Sequence, residues 1–356
     1  RFFGFFSLCV TSTLVVALSG NLFTFLIFYE MLTLSTYPLV VHAGSAKALA
    51  AGRVYLRYTL TAGVVLLLGV VLLYSLTNDH SFASEQGLSP YLDDHRGLLT
   101  LIFALLVGGL AVKAAMVPLH GWLPRAMVAP APVSALLHAV AVVKAGAFGI
   151  LRVIYDLYGI ELSVELGVTT VLAVAASITI IYGSLRAIAQ EELKPRLAFS
   201  TISQVSYVVL GVSLFGPFGT IGALAHLLHQ GLMKVTLFFC AGNYAEELGI
   251  HRLDEMDGAG KRMPLTSLAF TVGALGMIGL PPTAGFITKW YLGMGAIEAD
   301  MYWVVAVLVA SSTLNAIYFL PIVHRLWFRE GPAHGKGQWP KEQPLGRLET
   351  HGWLLW

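Results

Sequence analysis

The sequence predicts an all-α, polytopic membrane protein, because it is strongly apolar and contains long runs with almost no charge. Of its 356 residues, 56% are hydrophobic and only 12% are charged. Soluble domains carry about 25% charged residues, so a chain of this composition is expected in a lipid bilayer. The formal net charge of +2 is too small to indicate a nucleic-acid partner.

Ten apolar runs are long enough to be membrane helices, since a hydrocarbon core about 30 Å thick needs roughly 20 residues at about 1.5 Å each. They lie near residues 2–18, 21–41, 54–77, 98–117, 133–155, 167–188, 197–215, 219–243, 265–297 and 302–325. The ninth run is too long for one straight span and contains Pro281 and Pro282. Proline removes a backbone donor and clashes with the preceding turn, so this helix is predicted to be broken inside the membrane. A matching break is predicted near Pro118, at the end of the fourth run.

Charged residues are unevenly divided between the two sets of loops that must lie on opposite sides of the membrane. One set holds twelve basic residues, including Lys47, Lys194 and Lys261, whereas the other holds little beyond Arg96 and Arg152 together with eight acidic residues. Cytoplasmic loops carry an excess of lysine and arginine, so the first set is expected to be cytoplasmic. A missed or invented span in mid-chain would abolish this asymmetry, which supports the count of ten.

Two halves of five spans each would begin on opposite sides of the membrane, as in the inverted repeats of many secondary transporters. We expect a first five-helix repeat at 1–156, a second, inverted repeat at 157–325, and a cytoplasmic loop at 326–356 that leads into a further helix. The fourth span, with Lys113, would then pair with the ninth, with Lys289, and interrupted helices at matching places point to a transport site. Neither end looks like a natural terminus, so the chain is expected to be a fragment.

Few ionisable side chains lie inside the predicted spans. Glu30 is the only acidic residue in the middle of a span, and four lysines accompany it: Lys113, Lys144, Lys234 and Lys289. Burial favours the neutral form of a lysine, whereas a nearby carboxylate favours the charged form, so a pair that moves together or apart could load and release a proton. The alternative is a set of static ion pairs that pin helices, or lysines that snorkel from helix ends.

The eighth span adds a stripe of polar side chains. His226, Gln230 and Lys234 are four residues apart and share one helical face, and His229 lies in the same span. Such a stripe suits a file of protonatable groups and water, since the unperturbed pKa of histidine is about 6.5. His138 in the fifth span is a further candidate. Taken alone, each histidine could be a hydrogen-bonded packing residue.

Other kinds of site are not indicated by the sequence. His226 and His229 are three residues apart, but no third ligand of a matching type lies nearby, so a metal site is not expected. The sequence contains no phosphate-cradling glycine loop, no dinucleotide fingerprint and no nucleophile set. Cys9 and Cys240 both lie in apolar runs and indicate neither a disulfide framework nor a metal cluster. No cofactor is therefore expected.

Five segments together carry a resemblance to a known family. They are FYEMLTLSTYPLV, KAAMVPLHGWLPRAMVAPAPVSALLHAVAVVKAG, EELKPRLAFSTISQVSY, HLLHQGLMKVTLFFCAGN and GLPPTAGFITKW. They resemble the shared motifs of the antiporter-like membrane subunits, which occur in Mrp-type sodium/proton antiporters, respiratory complex I and membrane-bound hydrogenases. The nearest likeness is to the D-type subunit of the Mrp antiporters.

The resemblance implies roles for particular residues. In the family, a glutamate of an FYE motif pairs with the lysine before PLHGWLP, and these are Glu30 and Lys113 here. The central lysine of the next span matches Lys144, the HQGLMK segment supplies Lys234, and the lysine after PPTAGF matches Lys289. The resemblance also implies that the ten spans are the two inverted repeats of the family fold.

The sequence therefore predicts a non-enzymatic subunit of a bacterial inner-membrane complex that moves protons, with sodium as the candidate coupling ion. Its expected partners are the lipid bilayer and the other membrane subunits of a multisubunit antiporter. The alternative is a non-redox, proton-pumping subunit of a complex I-like quinone oxidoreductase or a membrane-bound hydrogenase. A third hypothesis is a structural scaffold whose buried charges are static.

Reporter fusions test the predicted topology. Fusions at Lys47, Lys194 and Lys261 should report the cytoplasm, and fusions at Glu85 and Glu161 the opposite side, because the basic loops stay inside. The measurement is the activity of a reporter enzyme that works on one side of the membrane only. If both sets of fusions report the same side, the ten-span topology is wrong.

Overall fold

The computed structural model describes residues 1–79, 81–82, 87–331 and 339. In this part of the chain every secondary-structure element longer than one residue is a helix. Seven helical segments are long and apolar enough to cross a membrane, and shorter apolar helices occur at Phe2–Leu18 and Pro264–Ile278. The prediction of an all-α, multi-pass membrane protein is confirmed. Glu85 and most of the predicted loop at 326–356 lie outside the described residues.

The first half of the chain forms four helical spans and a fifth, composite one. The spans are α1 (Phe2–Leu18), α2 (Leu22–Val40), α3 (Ala46–Thr77) and α4 (Leu92–Lys113), and a short helix α5 (Trp122–Arg125) follows them. The fifth span joins α6 (Ala131–Ala135), a π-helical turn at Leu136–Val140, α7 (Val142–Arg152) and a second π-helical turn at Val153–Tyr158.

The second half contains the remaining five spans. Its helices are α8 (Ile160–Glu165), α9 (Val168–Ile188), α10 (Leu193–Ser213), α11 (Pro217–Asn243), α12 (Ala259–Arg262), α13 (Pro264–Ile278), α14 (Ala284–Glu298) and α15 (Tyr302–Phe328). The short helices α8 and α12 lie between spans, and α13 and α14 together form the ninth span.

The third span begins at Ala46 rather than at the predicted residue 54. Ser45 caps this helix, because its side-chain oxygen accepts a hydrogen bond from the backbone N–H of Ala48. The apolar run begins only after the first basic residues of this segment, so the sequence pattern predicts a later start. The cap at Ser45 begins the helix ahead of those basic residues. α3 is therefore 32 residues long, which is more than a hydrocarbon core requires.

The predicted break in the ninth span is confirmed. α13 ends at Ile278 and α14 begins at Ala284, with Pro281 and Pro282 between them. Gly279 follows α13 directly and takes a φ of 84°, a conformation that glycine adopts at little cost. The chain therefore leaves one helix and starts another within a single span.

The break near Pro118 is also confirmed, but α4 ends at Lys113 rather than at residue 117. The segment 114–121 that follows contains no regular helix. The indole N–H of Trp122 reaches back and donates to the backbone oxygen of Val112, at 2.7 Å, so one of the carbonyls freed at the helix end is satisfied. Lys113 is thus the last residue of its helix.

The centre of the bundle is α10, in which every residue from Arg196 to Ser213 is buried. A helix that is buried on all sides is enclosed by other helices rather than by lipid. This explains how α10 can carry several serines and still lie in a membrane protein. The guanidinium of Arg196 holds the end of the bundle together, since it donates to the carbonyls of Ile188, Gln190 and Tyr318.

Gly108 and Gly109 offer a matched test of the α3–α4 packing. A Cβ at Gly109 would lie 2.8 Å from Leu66 Cβ and 2.9 Å from the backbone oxygen of Ala62, whereas nothing lies within 4 Å of one at Gly108. Gly109→Leu should lower the free energy of unfolding by about 1–3 kcal/mol through overpacking. Gly108→Leu should not lower it and should raise it by up to about 1 kcal/mol, because glycine in a helix interior is unfavourable. The measurement is the soluble fraction after heating in detergent, and equal losses from both variants would contradict the close helix contact.

Candidate functional site

Glu30 on α2 and Lys113 at the end of α4 form an ion pair, with 3.7 Å between Nζ and Oε1. The lysine side chain is fully buried, whereas 26% of the glutamate side chain is exposed. The ammonium also donates a hydrogen bond to the backbone oxygen of Tyr29 and lies 3.3 Å from the centroid of the Tyr29 ring. A carboxylate, a carbonyl and the face of an aromatic ring therefore stabilise this buried cation.

Gly63 on α3 makes room for the Glu30 carboxylate. A Cβ built at Gly63 would lie 2.7 Å from both Cδ and Oε1 of Glu30. Neither oxygen of Glu30 has a hydrogen-bond partner within the described part of the chain. The position of the carboxylate therefore depends on Lys113 and on the missing side chain of Gly63. The sequence analysis did not identify Gly63, because nothing in the sequence distinguishes it from the other 35 of the 36 glycines.

Lys144 and Lys234 are buried on α7 and α11 and are bound by backbone carbonyls. Lys144 Nζ donates to the oxygen of Leu227 on α11, at 2.6 Å, and Lys234 Nζ to that of Leu197 on α10, at 3.1 Å. Among the residues that the structure describes, neither lysine forms an ion pair. The two ammonium groups are close enough to each other to interact electrostatically.

Lys289 on α14 points back into the break of the ninth span. Its Nζ donates to the backbone oxygens of Ile278, at 2.7 Å, and Met277, at 3.1 Å, and to Ser312 Oγ on α15, at 3.0 Å. The two carbonyls belong to the last turn of α13, where helical acceptors lack their usual partners. A cation at this position is also favoured by the helix dipole. The break thus provides the binding site of the lysine.

His226 on α11 connects the central helices with α14. Its Nδ1 lies 3.1 Å from Thr288 Oγ1, and its Nε2 lies 3.1 Å from the backbone oxygen of Gln204. Thr288 is next to Lys289 in the chain, and His226 is close enough to both Lys144 and Lys289 to interact electrostatically. The ring therefore lies within electrostatic range of both lysines, while its hydrogen bonds in the described ranges go to Thr288 and Gln204.

His138 lies in the π-helical turn at Leu136–Val140 and is fully buried. Neither of its ring nitrogens has a hydrogen-bond partner in the described ranges, and the side-chain amides of Gln204 and Gln230 are also without partners there. The imidazole ring packs on that of Phe238, at 4.8 Å between centroids. Buried polar groups are ordinarily bound to protein or to ordered water. These three side chains are therefore places where ordered water would be expected to bind.

His229 does not share the surroundings of the other candidates. It is only partly buried, and its Nδ1 has no partner among the described side chains. Its neighbours in the helix, Leu228 and Leu232, are each 63% exposed on the outer surface. No group of three or more histidine, cysteine, aspartate or glutamate residues that could hold a metal occurs in the part of the chain that the structure covers.

A second line of hydrogen bonds leaves the Lys289 site through α15. The Met277 carbonyl that accepts from Lys289 also accepts from Asn315 Nδ2, at 3.2 Å. The Tyr318 hydroxyl lies 2.6 Å from Asn315 Oδ1 and 2.8 Å from Ser200 Oγ on α10. The break, α15 and the central helix are thus joined by polar contacts that no sequence motif predicted.

The chain matches a family model described as "NADH:quinone oxidoreductase/Mrp antiporter, TM" over residues 19–315. It is 40% identical over 337 residues to NADH-quinone oxidoreductase subunit N of Desulforudis audaxviator, and the aligned region covers 94% of this chain and 66% of that protein. It is 34% identical to hydrogenase-4 component B of Escherichia coli over 303 residues, or 81% and 44% of the two chains. The putative antiporter subunit mnhA2 of Staphylococcus aureus is 32% identical over 304 residues, or 81% and 37%.

Solved structures give the same picture of the fold. A chain of the Mrp complex from Dietzia sp. DQ12-45-1b superposes with a TM-score of 0.84 at 30% identity, covering 93% of this chain and 64% of that one. A chain of the membrane-bound sulfane sulfur reductase, an archaeal respiratory membrane complex, superposes with a TM-score of 0.83 at 27% identity. This superposition covers 98% of this chain and 68% of that one. The present chain spans between 37% and 66% of the length of the three sequence relatives.

Stability measurements test whether the Glu30–Lys113 pair holds the helices together. Glu30→Gln leaves the Lys113 ammonium buried without its counter-charge, which should cost up to about 3 kcal/mol, the lower end for a broken buried pair because Glu30 is partly exposed. Glu30→Gln/Lys113→Leu should recover most of this loss, since no buried charge remains. The measurement is thermal unfolding in detergent. A single variant as stable as the original chain would show that the pair contributes nothing to the fold.

Proposed function

The chain belongs to the NADH:quinone oxidoreductase/Mrp antiporter membrane family, and from this membership we propose that it is a proton-translocating subunit of a multisubunit monovalent-cation/proton antiporter. The observation that carries the proposal is the presence of four lysines inside the bundle, three of them held by uncharged groups in the described ranges. Charged side chains at membrane depth are costly and mark ion paths. The likeness to the D-type Mrp subunit stays a prediction.

The proposed path runs from the Glu30–Lys113 pair through Lys144 to Lys289. Like charges at close range oppose each other's ionisation, so protonation of one lysine promotes proton loss from the next. His226 supplies a titratable ring between Lys144 and Lys289, as its contacts with both α10 and α14 allow. A proton would thus pass from one group to the next along this path.

Three further residues, Lys234, His138 and His229, are proposed to connect the path with its surroundings. Lys234 is close enough to Lys144, and His138 is close enough to Lys234, to interact electrostatically. Water bound to the unpartnered groups of His138 and of the two glutamines Gln204 and Gln230 would complete a hydrogen-bonded file. His229 is proposed as an outer member of the file, because it lies near His226.

The Lys289 end of the path is proposed to open to water. Irregular backbone at membrane depth persists only where it is buried in protein or lines a wet cavity, and Pro281 and Pro282 in the break are exposed. Protons rather than sodium are the proposed cargo of this chain. Sodium needs several oxygen ligands, and the Glu30 carboxylate is paired with Lys113.

The proposal includes two five-helix repeats, at 1–156 and 157–325, in a bacterial inner membrane with the basic loops in the cytoplasm. The irregular segment after Lys113 and the break before Lys289 occur in the fourth and ninth spans, which are matching places in such repeats. The proposed partners are further membrane subunits of the complex.

A second candidate function is a non-redox subunit of a complex I-like oxidoreductase. It is favoured by the 40% identity to an NADH-quinone oxidoreductase subunit N, and the proton path would be the same. Sodium-dependent proton flux in vesicles without a redox substrate would favour the antiporter. Flux that requires electron transfer, together with genes for dehydrogenase or hydrogenase subunits beside this one, would favour the oxidoreductase.

The proton path is tested by Lys289→Leu in the assembled complex. The change removes the ammonium from the break, and proton flux in inverted vesicles should fall to below about a tenth of the original, since an apolar side chain cannot carry a proton. Assembly is followed on native gels in the same vesicles.

The matched control is Lys261→Leu, which removes the same charge from an exposed position on α12. It should leave flux unchanged. Normal flux through an assembled Lys289→Leu complex would remove this residue from the path.

A further inference from the structure

A cavity of about 590 Å³ opens at one end of the helix bundle, apart from the four lysines. Its walls come from four segments that are distant in the chain: the start of α3, the helix α5, the start of α10 and the segment after α11. A volume of this size suits a small ligand or a lipid headgroup. Nothing in the proposed proton path accounts for it.

Basic side chains from all four segments line the cavity. They are Lys47, Arg125, Lys194 and His251, and Glu192 is the one acidic residue among the described lining residues. Lys47, Arg125 and Lys194 form no ion pair within the described ranges. The cavity therefore concentrates positive charge that the protein itself does not neutralise.

Two acidic residues next to the lining segments in the chain, Glu191 and Asp254, are bound to Arg252. Glu191 lies 2.8 Å and Asp254 lies 3.1 Å from its guanidinium. These carboxylates, Glu191 foremost, hold the pKa of Arg252 above its ordinary value. Glu255 is engaged as well, since it accepts hydrogen bonds from the backbone of His251 and Arg252. These three acids are thus engaged, and Glu192 is the one carboxylate in the described lining against two lysines and one arginine. The lining therefore keeps an excess of positive charge that can bind an anion.

The ammonium group of Lys194 has hydrogen-bond donors without a partner among the described residues. It is partly buried in the first turn of α10, and its one hydrogen bond to a described residue is a long contact of 3.3 Å with the backbone oxygen of Ala129. An ammonium has three N–H donors, so two are available to a ligand. Arg125 is exposed beside it, and a guanidinium binds phosphate oxygens in a two-pronged fashion.

The rest of the cavity wall is apolar. Val54, Met127, Val128 and Ile250 contribute to it, and the cavity lies where α3 and α10 begin. We propose that this cavity binds the phosphate headgroup of an anionic membrane phospholipid, with its acyl chains along the apolar wall. Basic pockets between membrane helices are known recognition sites for such headgroups. An acidic protein segment would leave the apolar wall unused.

The test uses the full-length protein, purified with its complex and placed in lipid nanodiscs of defined composition. Native mass spectrometry counts the lipids retained when phosphatidylglycerol competes with phosphatidylcholine. The original protein should retain phosphatidylglycerol selectively. Each removed charge should weaken retention roughly fivefold, because a basic residue near an anionic lipid contributes about 1 kcal/mol.

The variants are Lys194→Gln, Arg125→Gln, the combination of these two, and Lys47→Gln. Lys47 is exposed, so its substitution removes a charge from the cavity without disturbing the packing of the helices. The matched control is Lys261→Gln, which removes the same charge outside the cavity and should retain the lipid fully. Folding is checked by size-exclusion chromatography in phosphatidylcholine nanodiscs. Equal retention by the double variant and the control would overturn the proposal.

Two other outcomes would assign the cavity elsewhere. If inorganic phosphate, at the same concentration as phosphatidylglycerol, displaces this lipid and protects the protein from heat as well as the lipid does, the site binds a soluble anion. If lipid selectivity is absent and Lys194 crosslinks to an acidic segment of a neighbouring protein in the complex, the site is a protein interface. Either result would overturn lipid binding.

Discussion

An ammonium group buried at membrane depth must be given oxygen partners, and in this protein backbone carbonyls supply most of them. Lys144 and Lys234 each bind one carbonyl, Lys289 binds two, and Lys113 binds one besides Glu30. A carbonyl is a dipole rather than a charge, so it can stabilise the ammonium without being stranded as an unpaired ion when the proton leaves. A fixed ion pair lacks this property, because removing one charge leaves the other buried at high cost. The choice of carbonyls is thus compatible with lysines that change their charge.

The break in the ninth span supplies two of these five carbonyl partners, whereas the other three lie within helices. The carbonyls that bind Lys289 lie at the end of α13, and Lys113 is itself the last residue of α4. A regular helix uses its carbonyls internally, whereas a helix end leaves several of them available. π-helical turns such as Leu136–Val140 occur frequently at functional sites, and this one carries His138. At the break before Lys289, the carbonyls freed by the helix end therefore meet the hydrogen-bonding needs of the ammonium.

The sequence predicts the parts of this fold that depend on local chemistry. Span lengths follow from apolar runs, and the break at Pro281 follows from the missing donor of proline. The π-helical turn at Leu136–Val140 could not be predicted, since its segment contains no proline or glycine and its conformation depends on packing against α11. The space at Gly63 was missed for a similar reason: it exists only because another helix brings Glu30 to it. Lys289 was identified from the sequence, but its carbonyl partners became apparent only in three dimensions.

The length of α3 links two distant regions of the protein. Lys47 stands at its beginning, in the wall of the basic cavity, and Gly63 lies farther along the same helix, against the Glu30 carboxylate. At about 1.5 Å per residue, the 32 residues of α3 form a rod about 48 Å long. Lys47 and Gly63 are 16 residues apart, so about 24 Å of continuous helix separates the basic cavity from the Glu30 carboxylate. Both regions thus share one helix, and a change that displaced the start of α3 would reach the packing of Glu30 through Gly63.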